Sequence, residues 1–212
     1  MISLSWHEAL KMLVGLVVII DPLLSLPTFI TLTEGMHEQA RRICIRRASL
    51  TVGIVLTVAV LLGQQILDLL AISMPAFRIA GGLLILMMAL SMMHAQRSAT
   101  QATEEESSEA LDKEDVSVVP LGVPLLAGPG AISTVIIDAH HDLQITAVLL
   151  IEIWLVAGMV MLILQFAQRI RQALGNTGIN IATRLMGLML AAIAIAIEFM
   201  VGGLRAMLPG LR

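Results

Sequence analysis

The sequence predicts an all-α, polytopic membrane protein. Six transmembrane helices form two inverted three-helix repeats, with spans 1 and 4 broken near mid-membrane. Three observations carry this expectation. First, of 212 residues 58% are apolar and only 14% charged, with a mean hydropathy of +0.91, too few charges to coat a soluble domain. Second, six apolar runs are long enough to cross the ~30 Å of bilayer hydrocarbon, which takes about 20 helical residues. Third, the first and fourth runs carry proline and glycine interruptions at matching places.

The six spans cover roughly residues 10–32, 45–67, 76–93, 117–138, 145–166 and 182–204. The runs are continuously apolar and lack period-2 alternation, which favours helices over barrel strands. Cations in the connecting segments set the orientation. Arg41, Arg42, Arg46, Arg47, Arg97, Lys113, Arg169 and Arg171 fall on one side, and Lys11, Arg78, Arg205 and Arg212 on the other. The positive-inside bias then puts both termini outside. Lys11 is the only cation ahead of a first run too long for a signal-peptide core, so that run is expected to stay in the protein. Trp6 and Trp154 are the best candidates for a thin interfacial aromatic belt. The lone Cys44 permits no intrachain disulfide, and a net charge of −3 argues against nucleic acid as a partner.

The two halves share a pattern. Asp21-Pro22 interrupts span 1, and Arg78-Ile79-Ala80-Gly81 opens span 3; Gly128-Pro129-Gly130 interrupts span 4, and Arg184-Leu185-Met186-Gly187 opens span 6. Pro22 to Arg78 is 56 residues and Pro129 to Arg184 is 55, and both arginines begin R-x-x-G-x-x-L. Three spans per half is an odd number, so the second half enters the membrane from the opposite side, as in many secondary transporters. The domains follow: a first repeat over 1–93, an acidic cytoplasmic linker over 94–116 and a second repeat over 117–212. Seven of the 16 acidic residues lie between Glu104 and Asp115, which reads as a solvated tether or as a docking loop.

Span 1 carries Pro22 and Pro27 five residues apart; span 4 carries Pro120 and Pro124 and then Gly128-Pro129-Gly130. Proline removes a backbone donor and clashes with the preceding turn, so both helices should open. About ten apolar residues precede each break and would rise about 15 Å, near half the hydrocarbon thickness. Freed N–H groups there suit a carboxylate, and freed carbonyls suit a cation or ammonium. The candidate binding residues are therefore Asp21, Pro22, Pro27, Gly128, Pro129, Gly130, Ser133 and Thr134. The bland alternative is a pair of kinks that only pack the bundle.

Asp21 is the main polar outlier, because a charge near mid-membrane costs ~2.5–3.5 kcal/mol on insertion scales. It either caps the half-helix that follows or binds an ammonium group or a coupling proton, and one residue can do both. Ser133 and Thr134 either hydrogen-bond a solute or bond back to their own helix. Arg78 and Arg184 read as helix anchors that snorkel to the interface. Glu152 and Glu198 read as residues near the outer surface.

Catalysis finds no support. His7-Glu8 and His37-Glu38 start like H-E-x-x-H, but Lys11 and Arg41 occupy its last position; His140-His141-Asp142 reads as a polar loop rather than a metal site. No phosphate-binding or dinucleotide fingerprint is present. No enzyme activity, metal or cofactor is expected.

Four blocks, taken in order, resemble the MarC family. They are Ile19-Ile20-Asp21-Pro22 with Pro27 and Phe29, Phe77-Arg78-Ile79-Ala80-Gly81-Gly82, Val119-Pro120-Leu121 through Pro124-Leu125-Leu126-Ala127-Gly128-Pro129-Gly130-Ala131-Ile132, and Thr183-Arg184-Leu185-Met186-Gly187-Leu188. This chain has Asp21 where members more often have Asn. The resemblance implies a six-span bacterial inner-membrane protein akin to the SnatA transporters of small neutral amino acids. By position it marks Asp21-Pro22 and Gly128-Pro129-Gly130 as the transport site, and it supplies no catalytic residues. The expected function is secondary transport of a small solute, most readily a neutral amino acid, coupled to H⁺ or Na⁺ or run as an exporter. The partners are then the lipid bilayer and a small molecule, and a homo-oligomer is compatible with the sequence. The alternatives are a non-transport assembly or stress-linked membrane factor, and a channel.

Overall fold

The computed structural model describes residues 6–94, 122–123, 126–139 and 143–195. Among them the regular structure is helical, without strands. The helices are α1 (Trp6–Ile20), α2 (Ser25–Leu32), α3 (Glu38–Leu69), α4 (Met74–Met93), α5 (Pro129–Asp138), α6 (Leu143–Gln165) and α7 (Ala167–Ile195). Three of them, α3, α4 and α6, are long and apolar enough to cross a membrane. The pair α1 and α2, bent by 49° at their break, makes a fourth span if counted as one. Residues 117–121 and 124–125 of the expected span 4, with Pro120 and Pro124, lie outside the described residues. So do His140-His141-Asp142, the acidic linker beyond His94, and the end of span 6 with Glu198 and Arg205.

Helix ends depart from the expected spans in an informative way. α3 starts seven residues before the expected residue 45, so Arg41, Arg42, Arg46 and Arg47 sit on its first turns and not in a loop. Its 32 residues rise about 48 Å, well beyond the ~30 Å of hydrocarbon, so a solvated overhang can carry the charges. Arg42 pairs there with Glu38 one turn earlier. Arg41 lies over the buried Phe29 ring at 5.4 Å, tying this overhang to α2. Arg169 and Arg171 are likewise helical, on the first turns of α7. That helix bends at Gly175, whose φ of 63° and ψ of 178° are open essentially to glycine alone. α4 begins as its sequence suggests, with Ser73 Oγ accepting the Ala76 N–H at 3.4 Å and Pro75 in the first turn.

The core runs between the helices and is built from Leu16, Ile19, Phe29, Leu56, Ile85 and Met88, all buried. Large side chains such as Leu61, Leu83, Ile151 and Leu155 are exposed, as suits surfaces that meet lipid. Small residues let the helices close, which in lipid is a main source of association. α4 and α7 share the most extensive interface, followed by α3 and α6. Within the first of these, a Cβ added at Gly187 would lie 2.8 Å from Met92 Cβ and 3.0 Å from the Ala89 carbonyl oxygen. Within the second, a Cβ at Gly53 would lie 3.0 Å from the Trp154 ring. Trp154 thus sits on a mid-helix glycine while 45% of its surface stays exposed.

These contacts set a test. Gly187→Ala must push α7 off the α4 backbone, and it should lower stability by about 1–3 kcal/mol, as overpacking does. Gly158→Ala meets nothing within 4 Å and should leave the unfolding temperature at or above wild type, because alanine is the better helix former. Thermal unfolding in one detergent measures both.

A candidate functional site at two helix breaks

α1 stops at Ile20 because Asp21 takes a left-handed backbone conformation, φ 36°. Aspartate tolerates this region better than most residues because its short side chain can bond locally. Here Asp21 Oδ1 accepts the Leu24 N–H at 3.3 Å, and the Asp21 carbonyl accepts the same N–H at 3.2 Å. Ser25 Oγ donates to the Pro22 carbonyl at 2.7 Å. The turn from Asp21 to Leu24 is thereby closed and α2 starts at Ser25. Pro22 stands in the break, while Pro27 occupies the first turn of α2, where a missing N–H costs nothing. Asp21 is 1% exposed, and its Oδ2 has no hydrogen-bond partner among the described residues. The buried Thr28 Oγ1 on α2 is in the same condition.

The second break is built differently. Ala127 N–H donates to the Gly122 carbonyl at 2.9 Å, a wide turn of the i→i+5 type. Gly128 is extended, Pro129 opens α5, and no side chain caps this helix. The first-turn N–H groups of Gly130 and Ala131 therefore head α5 without a capping partner from Gly128. Ser133 Oγ donates to the carbonyls of Pro129 at 2.8 Å and Gly130 at 3.1 Å, and Thr134 Oγ1 to that of Gly130 at 2.8 Å. Both hydroxyls are buried and drawn back to the first turn. Back-bonding uses their protons and leaves oxygen lone pairs free.

The two breaks lie side by side. A Cβ at Gly130 would sit 2.5 Å from Met88 Sδ and 3.5 Å from Ile19 Cγ2, and one at Gly81 would sit 3.2 Å from Ser133 Cβ. The end of α1, the middle of α4 and the head of α5 therefore converge. Ile19 stands two residues before Asp21, so Asp21, Pro22, Gly130 and Ser133 belong to one neighbourhood. Arg78, one turn before Gly81, is half-buried, whereas Arg184 is exposed, so the two arginines do not hold equivalent places.

Glu152 is the residue whose burial sequence reasoning did not read. It is 4% exposed, and Oε2 has no hydrogen-bond partner among the described residues. It stands nine residues after Leu143, about 13.5 Å along α6, on the face turned into the bundle. The signal was available in its spacing: Leu149, Glu152, Ile153, Val156 and Val160 form one buried stripe with helical period. The Thr183 hydroxyl, beside Arg184, is also buried and unpartnered. By contrast, an open apolar groove of about 410 Å³ lined by Leu150, Ile151, Trp154 and Leu155 lies on α6; with almost no polar lining, it suits an acyl chain.

The left-handed Asp21 gives a sharp test. Asp21→Asn keeps both the tolerance for positive φ and a capping oxygen, so it should unfold within a few degrees of wild type. Asp21→Val places a β-branched residue in that conformation and should cost about 1–3 kcal/mol. Thermal unfolding in detergent separates the two.

Comparison with known proteins now adds ancestry to this geometry. The family model described as MarC family integral membrane protein matches residues 6–208. The chain is 37% identical to UPF0056 membrane protein YhcE of Escherichia coli (strain K12) over 95% of its length and 94% of that protein's. It is 34% identical to UPF0056 membrane protein YvbG of Bacillus subtilis (strain 168), covering 92% and 93%. It is also 34% identical to UPF0056 membrane protein MJ1677 of Methanocaldococcus jannaschii, covering 90% and 92%. No solved structure matches. The chain belongs to the MarC family of integral membrane proteins.

Proposed function

We propose that this protein is a secondary transporter of a small neutral amino acid, coupled to H⁺ or Na⁺, with its solute site between the two helix breaks. The observation that carries this reading is the convergence of a buried carboxylate with one unpartnered oxygen and a helix head with no side-chain cap. A zwitterion offers the complement of each. Its ammonium group would meet Asp21 Oδ2, and its carboxylate the Gly130 and Ala131 N–H groups, where the helix dipole favours an anion. Met88 and Ile19 pack against Gly130, and Ile137 and Ser133 against Gly81, and such tight surroundings favour a solute with a small side chain. Pro22, Pro27, Gly128 and Pro129 hold the breaks open, and Arg78 and Arg184 anchor the helices that follow.

The architecture that goes with this reading is six spans in two inverted repeats, with both termini outside a bacterial inner membrane. Helix pairing supports it. If α1–α2 corresponds to the broken span that ends in α5, α3 to α6, and α4 to the second part of α7, then the two most extensive interfaces join counterparts. Two further contacts also exchange: α4 on α5 matches α1 on α7, and α3 on α5 matches α1 on α6. Such a relation suits alternating access by movement of one half against the other.

Purified protein in proteoliposomes should accumulate labelled glycine, alanine or serine when an H⁺ or Na⁺ gradient is imposed. Asp21→Asn should cut that flux at least tenfold, in line with loss of a charge-assisted bond worth about 1.5–3 kcal/mol, while the fold persists. Absence of flux for all three solutes under both gradients would remove the amino acid assignment. Unchanged flux in Asp21→Asn would remove Asp21 from the site.

A further inference from the structure

The bundle buries a second carboxyl group that the proposed solute site does not use. Glu152 lies on the inward stripe of α6, and its Oε2 has no hydrogen-bond partner among the described residues. Its direction follows from helix geometry. Trp154, two residues on and about 200° around the helix, packs on Gly53 of α3. Glu152 is therefore on the opposite flank of the stripe from the α3 contact. The helix that α6 meets most after α3 is α1, so this flank turns toward α1, the helix that ends at Asp21.

Few other charges sit near this position. On α1, His7, Glu8 and Lys11 are exposed at its start, and Asp21 follows its end. On α3 the charged groups lie toward the ends, from Glu38 to Arg47 and at Asp68. Asp138 closes α5, and Arg169, Arg171 and Arg184 of α7 are exposed. None of them hydrogen-bonds Glu152 Oε2. Ionisable residues buried in membrane helices are costly and mark ion pathways and proton relays.

We propose that Glu152 is the binding site of a single monovalent cation, H⁺ or Na⁺, and that occupancy of this site drives the solute through the neighbouring one. The coupling half of this inference rests on the transport reading; the cation site itself does not. One positive charge matches one carboxylate, so the loaded site is neutral and the empty one charged. A proton would form one O–H bond at the carboxylate on loading and break it on release to the other side. The packing of α6 on α1 gives the route of coupling, since α1 leads directly into Asp21.

The cation site is tested on the wild-type protein in detergent with dicyclohexylcarbodiimide, which attacks protonated carboxyl groups in apolar surroundings, followed by peptide mapping. Glu152 should be labelled. Protection by Na⁺ at constant pH, but not by choline, identifies Na⁺; loss of labelling with rising pH and indifference to Na⁺ identifies H⁺. No labelling at Glu152, or labelling indifferent to both, overturns the proposal. In proteoliposomes, Glu152→Gln should retain solute exchange at equal concentrations yet lose at least tenfold of the acceleration that the gradient gives, and Glu152→Asp should recover part of it. A gradient response equal to wild type in Glu152→Gln overturns the coupling role. If the wild type moves no solute, the transport reading and the coupling fail together, while the labelling result still decides the cation site.

Discussion

Water is absent from the middle of a bilayer, so backbone N–H and C=O groups there must find partners within the protein. An unbroken helix meets this demand by itself. α1 and α2 do not, and neither does the head of α5, yet these segments are buried. At the first break the demand is met locally: Asp21 serves as both backbone and side-chain acceptor for Leu24, and Ser25 closes on Pro22. At the second, Ser133 and Thr134 return to the carbonyls of the first turn, and the N–H end keeps no side-chain cap. Much else in the fold serves to shelter these two irregular places. Met88 and Ile19 close over Gly130, Gly81 admits Ser133, and Phe29 under Arg41 seals α2.

Shelter of this kind depends on helices that approach closely, and lipid provides no hydrophobic drive for that approach. The chain supplies it with glycines set where a Cβ would collide. Gly63 faces Ile136 of α5, and Gly187 faces the backbone of α4. These contacts join the first half of the chain to the second. A movement of one half against the other would slide along these same surfaces, where small residues leave few side chains to unlock.

Much of this was legible in the residues. Proline and glycine punctuation located both breaks, because proline removes a backbone donor and clashes with the preceding turn, so a helix more readily starts at it than runs through it. Asp21 stood out because a carboxylate in an apolar run needs a reason. The R-x-x-G blocks were expected to open helices, but Arg78 is the fifth residue of α4 and Arg184 lies in the interior of α7, beyond its bend at Gly175; only Gly81 touches the second break, while Gly187 packs on α4. Helix ends were harder. Arg41 to Arg47 looked like a loop because charge excludes a residue from hydrocarbon but not from a helix that projects beyond it. The contact of Trp154 with Gly53 was not legible, because a socket on another helix is a fact that no single segment contains. Glu152 was underrated for the same reason: its position was judged by distance from a span end, while its helical phase put it on the buried stripe.

The two breaks are alike in position but opposite in chemistry, and that difference sharpens the proposed site. The first ends in a carboxyl group with one oxygen engaged in capping and one unengaged. The second begins with backbone N–H groups that no side chain caps. Two perfectly matched breaks would offer the same polarity twice, and a ligand between them would need the same charge at both ends. Asp21 against Gly128 breaks that equivalence, which suits the proposed solute, a small molecule whose opposite charges are borne by two groups on one carbon. The same asymmetry runs through the pair Arg78 and Arg184, one half-buried and the other exposed. The two breaks thus stand at matching places in the sequence and differ in the groups they present.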